Sequence, residues 1–305
     1  MPSRNIPAKG INMTQAHNIA ALLNEEGCLL QDKTIHLLKS PTGSQTHGWR
    51  FHEADVPVTV TKNYETRVDI VLKRVASCGP ENPCCVAMKC KPAALHYESW
   101  VFYSNIKPAN GLLSNHYYFE TAEMTRAFPT EYKHKLTPIS VVEECPIYER
   151  FIEARIVSQS DRSKRAMPET INNALHEVTM DQTGLAHKLR GLNTQMFSLI
   201  PVVVTTAKLI ITHIDLDKIS RSDVKVQPTD LNPETKGWIA INYKIGDMAA
   251  KFFQGKKFPN PNERATSIAQ DLASRHVRTV FIVQAEHIQS FLELLGKKIW
   301  RGVQR

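Results

Sequence analysis

The sequence predicts an α/β fold, a mixed central sheet flanked by helices, on three observations. Runs rich in β-branched and other strand-forming residues recur at 67–72, 85–91 and 200–212. Helical patterns at 14–26 and at about 168–192 alternate with them. The chain of 305 residues, 42% of them hydrophobic, can bury a sizeable core. A single domain over 1–305 is expected, with an inserted β-rich segment at about 96–160 and a C-terminal extension at about 214–305.

Segment 14–26 sets Ala16, Ile19, Ala20 and Leu23 on one face and stops at Gly27, the pattern of an amphipathic helix with a glycine C-cap. Short strands are expected at 34–38, 49–52 and 56–61, followed by the strand RVDIVL at 67–72. The turn-rich SCGPENP at 77–83 leads into a second strand, CVAMKCK at 85–91, so the two form a hairpin. Further strands are read at 100–103, 116–119 and 139–142, within the insertion. A polar, basic connector at 158–165 precedes the second helix, which Pro168 and Glu169 open with residues favourable at a helix start. Segment 200–212 is nearly all strand-forming and reads as two strands, or one long bent one, buried on both faces. Strands at 238–243 and 277–283 and a helix at 286–295 complete the chain.

No apolar stretch approaches the length of a membrane span, and the first residues lack the apolar block of a secretory leader, so a cytoplasmic protein is expected. Six cysteines fit that compartment. Cys78, Cys84, Cys85 and Cys90 crowd together but contain no C-x-x-C pair, and no His lies at ligand spacing, which favours reduced thiols over a zinc knuckle. The net charge is +8, and the excess is spread over Lys73, Arg74, the 162–165 and 256–257 segments and the 297–305 tail. Such a surface favours polyanions, because binding releases counterions condensed on a phosphate backbone.

Two adjacent strands with an acid on the first and x-x-Lys on the second can assemble a phosphodiester-cleaving site. An acidic pair holds Mg²⁺ (or Mn²⁺), which polarises the phosphate and acidifies an attacking water, and a lysine offsets developing charge. The segment TRVDIVL at 66–72 resembles the strand carrying the first aspartate of PD-(D/E)XK, restriction-endonuclease-like, nucleases. VAMKCK at 86–91, followed by Pro92 and WVF at 100–102, resembles the strand carrying (D/E)-x-K. HKLRGLN at 187–193, IPVVVTTAKL at 200–209, VRTVFIV at 277–283 and the 288–292 segment are similar to an uncharacterised bacterial branch of that superfamily. The resemblance spans roughly residues 50–295. It implies a restriction-endonuclease-like sheet, Mg²⁺-dependent endonuclease activity on nucleic acid, DNA ahead of RNA, and a possible homodimer or partner protein. Carried over by position, Asp69 is the first metal ligand and Lys91 the catalytic lysine.

The position of the expected second acid holds Lys89. A cation cannot ligate Mg²⁺, and beside Asp69 it competes for the carboxylate. Three explanations stay open: another acid has migrated in, with Glu53, Asp55, Glu65 and Glu98 as candidates; catalysis has been lost and binding kept; or a single-base change has inactivated a toxic enzyme. A non-catalytic nucleic-acid-binding or assembly module is therefore the alternative reading. Each residue also has a plainer account, Asp69 as a charge on an edge strand and Lys89 with Lys91 as a solvated strand face. Gln182 or His187 could reach the site from the helix. The run His213-x-Asp215-x-Asp217 could suggest a metal but reads better as a turn.

Overall fold

The computed structural model describes residues 28–40, 48–61, 63–74, 84–93, 99–104, 120–121, 147–148, 168–190, 198–213, 227–231, 233–244 and 277–303. The expected helix at 14–26 and the strands at 116–119 and 139–142 lie outside them, as do Cys78, Glu98, Asp215 and Asp217. Within the described residues the protein is mixed α/β, as the alternation of patterns predicts.

The first described element is a helix, α1 (Cys28–Lys39), where a strand was expected at 34–38. Leu30, Thr34 and Leu38 recur every four residues on its buried side, a helical period that the short run TIHLL conceals. Strand β1 (Trp49–Thr61) merges the two short strands expected there and carries a register irregularity between Phe51 and Glu53. It is followed by β2 (Tyr64–Arg74) and β3 (Cys84–Lys91), then by β4 (Ser99–Ser104) and the two-residue strands β5 (Glu120–Thr121) and β6 (Ile147–Tyr148). Helix α2 (Pro168–Arg190) leads into β7 (Ser198–Thr205) and β8 (Lys208–His213). The long 200–212 run is thus two strands, and they enter two different sheets. Strands β9 (Glu234–Lys236), β10 (Trp238–Lys244) and β11 (Val277–Gln284) precede a closing helix α3 (Ile288–Val303).

The main sheet has the order β1-β2-β3-β7-β11-β10-β6, with β5 pairing β7 off that path. Strands β1, β2 and β3 are antiparallel neighbours, whereas β3, β7 and β11 run parallel. The stretch expected as a C-terminal extension supplies β10 and β11 to this sheet. From the expected insertion, β4 joins β8 and β9 in a separate three-stranded sheet.

Both faces of the main sheet are covered. On one side Ile70, Leu72, Val86, Met88, Ile200, Val202 and Val204 pack with α1 and α3, and the Trp49 indole N–H donates to the Leu292 carbonyl (3.1 Å). On the other side lies α2. Its first half packs Ile171, Ala174, Leu175 and Val178 with Val203, Leu209 and Ile282. Its second half packs Leu185, Ala186 and Leu189 against Val56, Val58, Cys85 and Ala87. Gly184 permits this approach, since a Cβ there would lie 2.6 Å from a Val58 methyl carbon. Burying β7 on both faces accounts for its continuous apolar run. Among the described residues no helix is long and apolar enough to cross a membrane.

Candidate functional site

The regular alternation of β2 slips at Asp69. Ile70 and Leu72 face α1 and α3, but Val68 and Val71 both pack on the α2 side. The pairing of β1 with β2 runs through Ala54↔Ile70 and Val56↔Val68 and leaves out the intervening Asp55 and Asp69. Asp55 adopts a left-handed backbone (φ 52°), which Asp tolerates better than most residues. From α1, the Gln31 amide donates both to the Asp55 carboxylate (3.0 Å) and to the Asp69 carbonyl (3.1 Å) and so bridges the irregularity.

The pairing of β2 with β3 runs from Lys73↔Cys85 to Ile70↔Met88. Just past it the Asp69 side chain continues the contact, its Oδ2 accepting from the Cys90 N–H at 2.7 Å. This interaction fixes the carboxylate beside the next turn of side chains on β3. Lys89 and Lys91, two residues apart, project from that strand toward α2.

Helix α2 supplies two acids one turn apart, Glu177 and Asp181. The Lys89 Nζ lies 3.0 Å from Asp69 Oδ1, 3.5 Å from Asp181 Oδ2 and 3.9 Å from Glu177 Oε2. It also donates to the Arg67 carbonyl at 3.1 Å. Lys91 pairs with Glu177 at 2.8 Å. The Thr66 hydroxyl donates to Asp181 Oδ1 at 2.7 Å, whereas the buried Oδ2 has no hydrogen-bond partner and has Lys89 as its ion-pair partner. Three carboxylates and two ammonium groups therefore converge at one end of β3.

Burial and neighbouring charge together set the protonation of Asp69, Asp181 and Lys89. Burial raises the Asp69 carboxyl, against the opposing pull of Lys89 and the Cys90 N–H. Asp181, with a side chain 0% exposed, is pushed up to about 7 by burial, with Lys89 and the Thr66 hydroxyl opposing and Asp69 adding to the rise. For Lys89, burial acts to lower the pKa, but Asp181 and Asp69 outweigh it, so the ammonium is held charged above its ordinary range. Lys89 is thus a fixed positive charge at the centre of the cluster.

The expected hairpin is present, with Asp69 and Lys91 on the same side of the sheet, linked through Lys89 and Glu177. The suggested replacement acids do not join them where they are described. Glu53, Asp55 and Glu65 are exposed on β1 and β2. The acids that do converge, Glu177 and Asp181, were missed in the sequence. One signal was available: Asp181 falls on the apolar stripe of α2, three residues after Val178 and four before Leu185, and an acid in such a stripe needs a buried partner. Gln182 is also buried, but its amide donates to the Leu199 carbonyl (2.8 Å) and ties α2 to β7. The side chains of His187 and His213 lie outside the described ones. Cys84, Cys85 and Cys90 are buried thiols, and burial pushes Cys85 up to about 11.

The donor set does not fit Mg²⁺ or Mn²⁺. Among the described residues no group of three His, Cys, Asp or Glu is arranged to hold a metal. Each carboxylate is engaged by a lysine, and an ammonium occupies their common centre. No family model matches the chain, and no curated protein and no solved structure matches it either.

Proposed function

We propose that this chain is a nucleic-acid-binding protein built on a restriction-endonuclease-like core in which metal-dependent hydrolysis is blocked. The observation that carries the reading is the Lys89 ammonium, seated 3.0 Å from Asp69 where the resemblance calls for a second acid. The order of β2, β3, α2 and β7, with parallel pairing between β3 and β7, supports the core. Without a fit for the metal, no hydrolytic step follows from these residues. Lys89 and Lys91 are neutralised by acids, so they do not supply the attraction for phosphate.

Polymer binding rests on the positive surface. The net charge is +8, and Lys73 of β2 and Lys188 of α2 lie close enough to His52 of β1 to help burial lower its pKa. Lys73 and Lys188 thus bring positive charge together from separate elements, beside a His52 held below its ordinary range and next to Glu53. DNA is the first polymer to test, and a second copy of the chain or another protein is a compatible partner.

The test is a titration of labelled duplex and single strand at two salt concentrations, with a nuclease assay of the chain beside Lys89→Glu. Binding that weakens steeply with salt, without cleavage, is expected of the native chain. Lys89→Glu, which replaces the ammonium by a carboxylate, is expected to yield Mg²⁺-dependent cleavage. Absence of binding at low salt overturns the nucleic-acid reading. Cleavage by the native chain with Mg²⁺ overturns the block.

A further inference from the structure

The surroundings of Lys89 Nζ are those of a bound cation. Four oxygens from two elements face one point: Asp69 Oδ1 and the Arg67 carbonyl from β2, and Asp181 Oδ2 and Glu177 Oε2 from α2. Three of them belong to carboxylates. An exposed lysine on a strand would gain little from such a setting, because water and salt screen surface ion pairs. Here the lysine side chain is only 14% exposed and one of its acids is fully buried.

Two details separate this arrangement from an ordinary acidic cluster. The first is the cation itself, an ammonium seated among the oxygens. The second is Asp181, whose buried Oδ2 has no hydrogen-bond donor and faces the ammonium alone, while Thr66 holds Oδ1 and fixes the direction of the carboxylate. Hard oxygen donors, a backbone carbonyl among them, are the ligand types that Ca²⁺, Mg²⁺ and Mn²⁺ take. The side chain of Lys89 provides one positive charge at the place where a divalent ion would provide two.

We infer that Lys89 is a tethered cation filling a cage formed by Asp69, Asp181, Glu177 and the Arg67 carbonyl, and that withdrawing its ammonium converts the cage into a divalent-cation site. The native chain then excludes metal from this place at any ordinary concentration, because a covalently attached ammonium competes at very high effective concentration. Removing the side chain leaves three carboxylates facing one another, and their repulsion is relieved by a divalent ion or by protonation.

The inference rests on the geometry around Lys89 and needs no nucleic acid, so its test is read on the protein alone. Mn²⁺ binding is followed by loss of the free-ion paramagnetic resonance signal, and thermal unfolding is followed with and without Mn²⁺, for the full chain, Lys89→Ala and Lys89→Ala with Asp181→Asn. The native chain is expected to leave Mn²⁺ free and to melt at an unchanged temperature. Lys89→Ala is expected to take up one Mn²⁺ per chain and to gain several degrees in Tm, since a ligand at 100-fold its Kd stabilises by about 2.7 kcal/mol. The double variant is expected to bind at least tenfold more weakly. Where Lys89→Ala does not fold without metal, Mn²⁺ should restore folding, and Lys89→Gln, closer in size, is measured beside it. Equal Mn²⁺ uptake by the native chain and Lys89→Ala overturns the inference, and so does an Ala or Gln variant that neither binds Mn²⁺ nor is rescued by it. A native chain that binds no polymer, with a Lys89→Ala form that binds Mn²⁺, overturns the proposed function and leaves this inference standing.

Discussion

At its start, strand β3 buries Cys84, Cys85, Val86, Ala87 and Met88 between two apolar layers; at its end, Lys89 and Lys91 sit among carboxylates on one face. The first end is joined to β2 by backbone pairing from Lys73↔Cys85 to Ile70↔Met88. At the second end the side chain of Asp69 takes over, accepting from the Cys90 N–H. The difference teaches how a sheet opens. Where apolar layers cover both faces, every backbone donor needs a backbone acceptor. Where the strands part, a carboxylate can satisfy the exposed donor, but its charge then requires a cation nearby, and Lys89 is that cation. Helix α2 carries the contrast too, with Asp181 set between the apolar cluster of Ile171, Ala174, Leu175 and Val178 and that of Leu185, Ala186 and Leu189.

The largest effect expected is at the apolar end. Met88→Ala removes a fully buried side chain and is expected to cost about 2–5 kcal/mol, read from denaturant midpoints at constant slope. Asp69→Ala is expected to cost somewhat less, about 2–3 kcal/mol, because it orphans the Cys90 N–H while Lys89 keeps Asp181. The cost at Met88 should be nearly independent of salt, and the cost at Asp69 should vary with it. Equal salt dependence at the two positions would break the contrast.

A smaller effect, specific to the charged end, comes from pH. In the folded chain Asp181 holds its proton up to about pH 7, whereas in the unfolded chain it releases it near pH 4. Its contribution to stability is therefore complete below about pH 4 and is lost as pH rises through about 7. Asp69 shifts in the same direction, so some slope remains without Asp181. Unfolding free energies of the native chain and Asp181→Asn between pH 4 and 8 should show a falling curve for the first and a flatter one for the second. Superimposable curves would remove Asp181 from the account.

The smallest effect is expected at Lys91. Its pair with Glu177 is partly exposed, with side chains 29% and 33% accessible, so Lys91→Ala should change stability by no more than about 1 kcal/mol. A larger loss would extend the buried cluster outward to Lys91. That measurement sharpens the boundary between the caged lysine and the open one.

Local pattern was enough to read most elements. The β-branched runs of β2, β3 and β7, and Pro168 with Glu169 at the start of α2, bias the backbone over a few residues wherever they occur. The pairing of β2 with β3 also followed from the turn-rich segment between them. Segment 34–38 was misread because five residues are too few to separate a helical period from a strand, and only packing against the sheet selects the face bearing Leu30, Thr34 and Leu38. The division of 200–212 between two sheets was likewise beyond local pattern, since both strands have the same composition.

For the site, the sequence alone placed an aspartate on one strand and two lysines on the next, with the turn-rich segment between them bringing the two strands together. Only the tertiary structure decided which acids surround Lys89. Thr66 and Asp181 are 115 positions apart, and they meet because α2 packs its apolar stripe across the sheet, with Gly184 allowing close approach to Val58. That placement is set by burial of side chains distributed over β1, β3, β7 and α2 together. Hydrophobic burial of this kind has no directional signature in any one segment, so the convergence of charges it imposes emerges only when the chain is folded.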